Sequence, residues 1–220
     1  AVARSIDPSR TLFIVSSKSG GTIEPNSLYR YFRDLVEEKV GKGEAGLHFV
    51  AITDPGTSLG KLAEDEGFRR TFENPPDIGG RYSVLSYFGL VPAALIGVNL
   101  DRLLDHATAM ATRCAGTSAI ADNPGAWLGA YLAATAAAGR DKFTLVTSPR
   151  VASFGLWVEQ LLAESTGKDG KGIVPVAGEP LLDARHYGDD RAFVYLRVES
   201  DDNAQADIAT ERLVAAGHPV

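Results

Sequence analysis

The sequence predicts an α/β protein with a mainly parallel sheet flanked by helices, and three observations predict it. Short β-branched or aromatic runs lie between turn residues, stretches of helical length and periodicity separate them, and the two kinds alternate along the chain. The short runs are continuously apolar, the pattern of strands buried on both faces, and such strands belong to parallel sheets.

The first strand is Leu12–Val15, and the amphipathic stretch Ile23 to Val40 after it reads as a helix. Pro25 falls in its first turn, where a missing N–H costs nothing. Gly41-Lys42-Gly43-Glu44-Ala45-Gly46 has the spacing of a dinucleotide fingerprint, but it follows a helix and precedes the strand Leu47–Ile52, the reverse of the required order. It reads as a connecting loop. The least regular segment, Asp54 to Gly80, holds Thr71-Phe72-Glu73-Asn74-Pro75-Pro76-Asp77 and reads as a long loop around one helix. Ser83 to Gly97 is helical in pattern, with Pro92 expected to kink or split it, and Leu100 to Ala115 follows. A boundary between halves is expected near Gly116 to Asn123.

Asn123-Pro124 is a cap followed by proline at the first helical position, and it opens a helix over Ala126 to Ala138 that Gly139 ends. Strands at Phe143–Thr147, Ile173–Val176 and Ala192–Val198 then alternate with helices at Val151 to Ala163 and Ala204 to Ala216. Phe13-Ile14-Val15-Ser16-Ser17 is echoed by Thr144-Leu145-Val146-Thr147-Ser148, each run leading into a helix. Two related halves would explain the echo; so would the general likeness of any buried strand before a polar helix start.

Composition bounds the function. The 220 residues are 45% hydrophobic and 23% charged, enough apolar content for a sizeable core in one or two domains. A net charge of −6 supplies no global field for nucleic acid or an anionic membrane, so an anionic ligand needs a local positive site. One cysteine, Cys114, excludes an internal disulfide, fits a reducing compartment and reads as core packing. The four histidines show no metal-ligand spacing, and no Gly-Lys pair precedes serine or threonine as in a nucleotide-binding P-loop. No stretch approaches a membrane-spanning length without a charge, glycine or proline, and the cytoplasm is the expected compartment. There is no initiator methionine and the first strand comes almost at once, so a piece of a longer protein is expected.

Four strings carry chemistry. Ser17-Lys18-Ser19-Gly20-Gly21-Thr22 lies at a strand-to-helix turn, where unpaired N–H groups and the positive dipole end attract an anion and small residues admit its oxygens. By itself it could equally be a capped helix start. Gly79-Gly80-Arg81-Tyr82-Ser83 presents an arginine at a helix start, which the dipole makes slightly unfavourable for a merely structural cation. Glu164-Ser165-Thr166-Gly167-Lys168 places a carboxylate at the negative end of an apolar helix, where dipole and expected partial burial disfavour its charge and favour its taking up a proton. Gly178-Glu179-Pro180 is followed by His186, a loop histidine that could also be a bystander.

Taken in order, these strings resemble phosphoglucose isomerases, most closely the isomerase part of bacterial fusions joining transaldolase to phosphoglucose isomerase. The resemblance covers most of the chain and implies flavodoxin-like three-layer sugar-isomerase halves. Residues 1–120 would be the later part of the first half, and 121–220 a second half truncated at its C-terminus. It implies isomerisation of glucose 6-phosphate to fructose 6-phosphate through an enediol, without a cofactor or metal, in a homodimer. Ser17, Lys18, Ser19 and Thr22 would hold the phosphate, Arg81 would face the reacting carbons, Glu164 would be the base, and His186 would help open the sugar ring. The sequence departs from the family at Leu181 to Arg185, where a glycine- and asparagine-containing loop is expected. It also lacks an earlier glycine-rich turn and a later lysine. A sugar-phosphate-binding or regulatory domain of the same fold without catalysis is the alternative.

Overall fold

A computed structural model describes residues 2–220. The chain divides into two compact units, one up to Thr108 and one from Ala109.

In the first unit, strands β1 (Phe13–Ser16), β2 (Phe49–Thr53) and β3 (Arg70–Glu73) form a parallel sheet in the order β1-β2-β3. Phe13 pairs with Phe49, and Ile52 with Phe72. All five residues of β2 are buried, as a central strand covered on both faces must be. Helix α1 (Ile23–Val40) has the bounds its periodicity predicts, and it buries Tyr29, Arg33 and Val36, one residue per turn, against the sheet. Tyr29 meets Phe49 edge-on at 5.2 Å, and its burial pushes the phenol up to about 12. Arg33 Nε donates to Glu37 at 2.7 Å, and its NH2 pairs with Glu66 at 3.1 Å, so this buried cation is neutralised twice. The segment Gly41–Gly46 is not wholly a loop. One helical turn, α2 (Lys42–Ala45), and a 3-10 turn fill it.

Helix α3 (Ser58–Asp65) is the helix expected inside the irregular segment, and Thr57 caps it by accepting from the Gly60 amide at 3.2 Å. Strand β3 was not expected there. Its four residues, Arg-Thr-Phe-Glu, are charged at both ends and exposed at both ends, which is what an unpaired edge tolerates and an apolar pattern search passes over.

Past β3, a 3-10 helix (Gly80–Leu85) precedes α4 (Tyr87–Leu95). The helical pattern from Ser83 to Gly97 therefore breaks at Ser86, not at Pro92, which α4 contains. Ser86 is extended (φ −111°, ψ −170°), and Gly89 lies so close to the preceding turn that a Cβ there would sit 1.9 Å from the Val84 carbonyl oxygen. Gly89→Ala should therefore destabilise the protein by about 1–3 kcal/mol through overpacking, outweighing the roughly 1 kcal/mol that alanine gains in a helix. Urea unfolding measures it, and a variant as stable as the wild type would contradict the contact. Helix α5 (Leu100–Arg113) follows, and the division between units falls inside it; the sequence places a boundary near Gly116 to Asn123.

In the second unit, helix α6 (Pro124–Ala137) is capped as expected, with Asn123 Oδ1 accepting from the Ala126 amide at 2.9 Å. Strands β4 (Lys142–Thr147), β5 (Val174–Ala177) and β6 (Arg191–Leu196) form a parallel sheet in the order β5-β4-β6. Helices α7 (Phe154–Thr166) and α8 (Ala204–Ala215) complete it. Val146, Tyr187, Phe193 and Leu213 make its core cluster. Cys114, expected in a core, is exposed; it lies one residue beyond α5, and that helix buries none of its residues.

The sequence echo does not extend to strand order. The first echoing strand, β1, is at an edge of its sheet, whereas β4 is central in its own. The two turns also differ. Ser148 is fully buried and committed to structure, its Oγ accepting from the Val198 amide at 2.7 Å and donating to Asn203 Oδ1 at 2.7 Å.

Candidate functional site

The first turn sits where ligands gather in parallel α/β sheets, beyond the C-terminal ends of the strands. Ser17 follows β1 and is 5% exposed, its amide donating to the Ile52 carbonyl at 3.1 Å. Its Oγ accepts from the Gly20 amide at 3.1 Å and lies 3.0 Å from Thr22 Oγ1. Gly20 needs to be glycine on two counts. Its φ is +73°, and a Cβ would come within 2.8 Å of the Leu59 nitrogen. Its carbonyl accepts from Ser58 Oγ at 3.0 Å and Asn26 Nδ2 at 3.3 Å, which ties the turn to α3 and back to α1.

Thr22 is the N-cap of α1 with extended backbone (φ −65°, ψ 127°), yet its side chain makes no capping hydrogen bond. The hydroxyl turns to Ser17 instead. Where Thr57 and Asn123 close the starts of α3 and α6 with a side-chain oxygen, no side chain caps the 18-residue α1. First-turn amides without a side-chain acceptor, at the positive end of a long dipole, suit an anion. Ser19 is exposed, and its Oγ accepts from the Gly21 amide at 3.4 Å.

Lys18 has protein partners of its own. Its ammonium is ion-paired with Asp54 Oδ2 and donates to the Pro76 carbonyl at 3.1 Å. Motif reading did not single out Asp54. The available signal was its position, one residue past the buried strand β2, on the rim where such sheets bind ligands.

Arg81, partly buried, lies in the 3-10 turn that begins at Gly80, with the Tyr82 amide donating to Gly79 O at 2.9 Å and Ser83 Oγ to Gly80 O at 2.7 Å. These bonds fix the turn that carries the guanidinium. Ser17, Lys18, Ser19, Thr22 and Arg81 all belong to the first unit, while Glu164 and His186 belong to the second.

Glu164 is exposed and sits inside the last turn of α7, which runs three residues further than expected, to Thr166. The extension has a cause. Thr166 Oγ1 donates to Leu162 O at 2.7 Å and accepts from the Ile173 amide at 2.9 Å, holding the helix end against the chain entering β5. The partial burial expected for Glu164 is absent in this chain; its position at the negative dipole end stands. His186 closes a 3-10 turn, Ala184–His186, and is exposed, while Glu179 pairs with Arg191 at 2.9 Å. Among the described residues, no group of three or more His, Cys, Asp and Glu could hold a metal ion, and no helix is long and apolar enough to cross a membrane.

Parallel sheets flanked by helices, with a hydroxyl-lined helix start on the strand rim, define an α/β protein of the sugar-isomerase type. The chain belongs to the phosphoglucose isomerase family, whose model matches residues 1–174. It is 40% identical over 176 residues to the glucose-6-phosphate isomerases of Bacillus cereus (strain AH187) and Bacillus thuringiensis (strain Al Hakam). Those matches cover 79% of this chain and 39% of each relative, so the chain spans well under half of their length. Solved structures share its fold. A hypothetical protein from Thermus thermophilus has TM-score 0.82 and 25% identity, covering 100% of this chain and 61% of that one. A glucose-6-phosphate isomerase from Chlamydia trachomatis has TM-score 0.76 and 22% identity, covering 97% and 47%.

Proposed function

We propose that this chain supplies the phosphate-binding turn, the arginine and the base of a glucose-6-phosphate isomerase. In this reading the two units are parts of two sugar-isomerase halves, and the intact protein interconverts glucose 6-phosphate and fructose 6-phosphate as a homodimer in the cytoplasm. The open start of α1 carries the reading, together with the family match across it. The phosphate sits against the first-turn amides and the hydroxyls of Ser17, Ser19 and Thr22. Glu164 moves the proton between C2 and C1, Arg81 stabilises the enediolate oxygen, and His186 assists ring opening. The exchange is internal to the sugar, so a base, an acid and charge stabilisation balance the reaction without a cofactor.

Titration of the intact protein with glucose 6-phosphate tests the turn. Thr22→Ala removes one charge-assisted hydrogen bond to the phosphate and should weaken binding by about 1.5–3 kcal/mol, roughly ten- to a hundredfold. Equal affinity of variant and wild type would remove the phosphate from this turn. A non-catalytic sugar-phosphate-binding domain of the same fold would show the affinity loss too, and differs in having no turnover to lose.

A further inference from the structure

Lys18 occupies the middle of the turn whose hydroxyls and amides are assigned to phosphate, yet its own contacts point the other way. Its carbonyl accepts from the Asp54 amide at 3.2 Å and from Thr53 Oγ1 at 3.4 Å, pinning the turn to the end of β2. Its ammonium pairs with Asp54 Oδ2 and donates to the carbonyl of Pro76, 58 residues further on. The Asp54 side chain is 15% exposed, and its second oxygen, Oδ1, is buried without a hydrogen-bond partner, so the lysine is the cation that answers this carboxylate.

Pro76 matters because it belongs to the segment that leads to Arg81. The Asn74 amide donates to Thr53 O at 2.8 Å, seating the segment beside β2, and Asn74 itself is 1% exposed. Pro75 and Pro76 have their φ set by their rings, and the Ile78 amide donates back to Pro75 O at 3.3 Å. Then come Gly79 and Gly80, whose carbonyls accept the bonds that close the 3-10 turn, and Arg81. The bonds of the 3-10 turn set Arg81 at the end of that rigid segment, and Lys18 grips the segment from the anion-binding turn.

We propose that Lys18 is a positioning residue, and not a phosphate ligand: with Asp54 and the Pro76 carbonyl it clamps the anion-binding turn to the diproline segment that presents Arg81. This rests on the assignment of the turn and of Arg81 above, and it names Asp54 as a member of the site. A clamp made of a pair has a property that a ligand lacks, namely that losing either partner has the same consequence.

The test uses Lys18→Met, Asp54→Asn, the double variant and Lys18→Arg in the intact protein. Amide hydrogen exchange over residues 77–83 should speed up about tenfold in both single variants and no further in the double, with Lys18→Arg close to wild type. In turnover of glucose 6-phosphate, both single variants should lower kcat more than they raise KM, and the affinity for inorganic phosphate should stay within about threefold of wild type. Unchanged exchange over 77–83 in Lys18→Met and Asp54→Asn overturns the clamp. So does a loss of phosphate affinity in Lys18→Met that Asp54→Asn does not share, which would make the lysine a ligand. If the wild-type protein binds no sugar phosphate and turns none over, the functional reading fails by itself, and the exchange experiment still decides the clamp.

Discussion

Glu164→Gln is expected to leave sugar-phosphate binding nearly normal in the intact protein and to slow exchange of the substrate's C2 proton with deuterated water by roughly a hundredfold or more. The substitution keeps the shape of the side chain and removes its basicity. The local structure makes this a clean test, because Glu164 is exposed in the last turn of α7 and the helix end is held by Thr166 through Leu162 and Ile173, not by the glutamate's burial. An isosteric change there should not cost the fold. Proton exchange reports the chemical step separately from ring opening and product release. Exchange at the wild-type rate would leave Glu164 a solvated residue of a helix end, and proton transfer by the second unit would fall with it.

Arg81→Lys should lower turnover by about a hundredfold while changing substrate affinity severalfold at most, because a preorganised guanidinium aimed at a developing oxyanion is felt in the transition state and little in the ground state. Lysine keeps the charge but not the planar fork, so the variant isolates geometry from charge. Measuring kcat and KM together decides the point. Weakened binding with unchanged turnover would make Arg81 a binding residue, and an absence of turnover in the wild type as well would favour the sugar-phosphate-sensing alternative. The same pair of constants ties this prediction to the clamp: a displaced Arg81, as in Lys18→Met, should resemble a milder Arg81→Lys.

Much of the fold and part of the site were legible in the sequence. Helix α1 has the bounds read from its apolar period, and α6 begins at the Asn123-Pro124 cap and ends next to Gly139, because period and caps are settled among residues a turn apart. The five strands that were expected are there, each shifted by a residue or two, because a strand covered on both faces must be continuously apolar wherever it lies in the chain. The strand-to-helix turn from Ser17 to Thr22 was legible for the same reason: hydroxyls, glycines and the helix start they serve lie within six residues of one another.

Other features were decided only by the tertiary structure. β3 exists because β2 offers it an edge, and its charged ends carry no apolar signal of their own. The helix break falls at Ser86, where the backbone is extended and Gly89 lies close to the Val84 carbonyl, and Pro92 is carried inside α4. Two look-alike turns differ in their partners: Ser148 bonds to Asn203 and Val198, far along the chain, and Ser17 Oγ to Gly20 and Thr22 within its own turn. Lys18 is the plainest case. The resemblance implies a phosphate ligand, and parallel pairing of β1, β2 and β3 brings Asp54 and Pro76, 36 and 58 residues away, to its ammonium. Local chemistry determined which residue types this chain could offer a ligand; sheet order, which no short window of sequence contains, determined which of them share a rim.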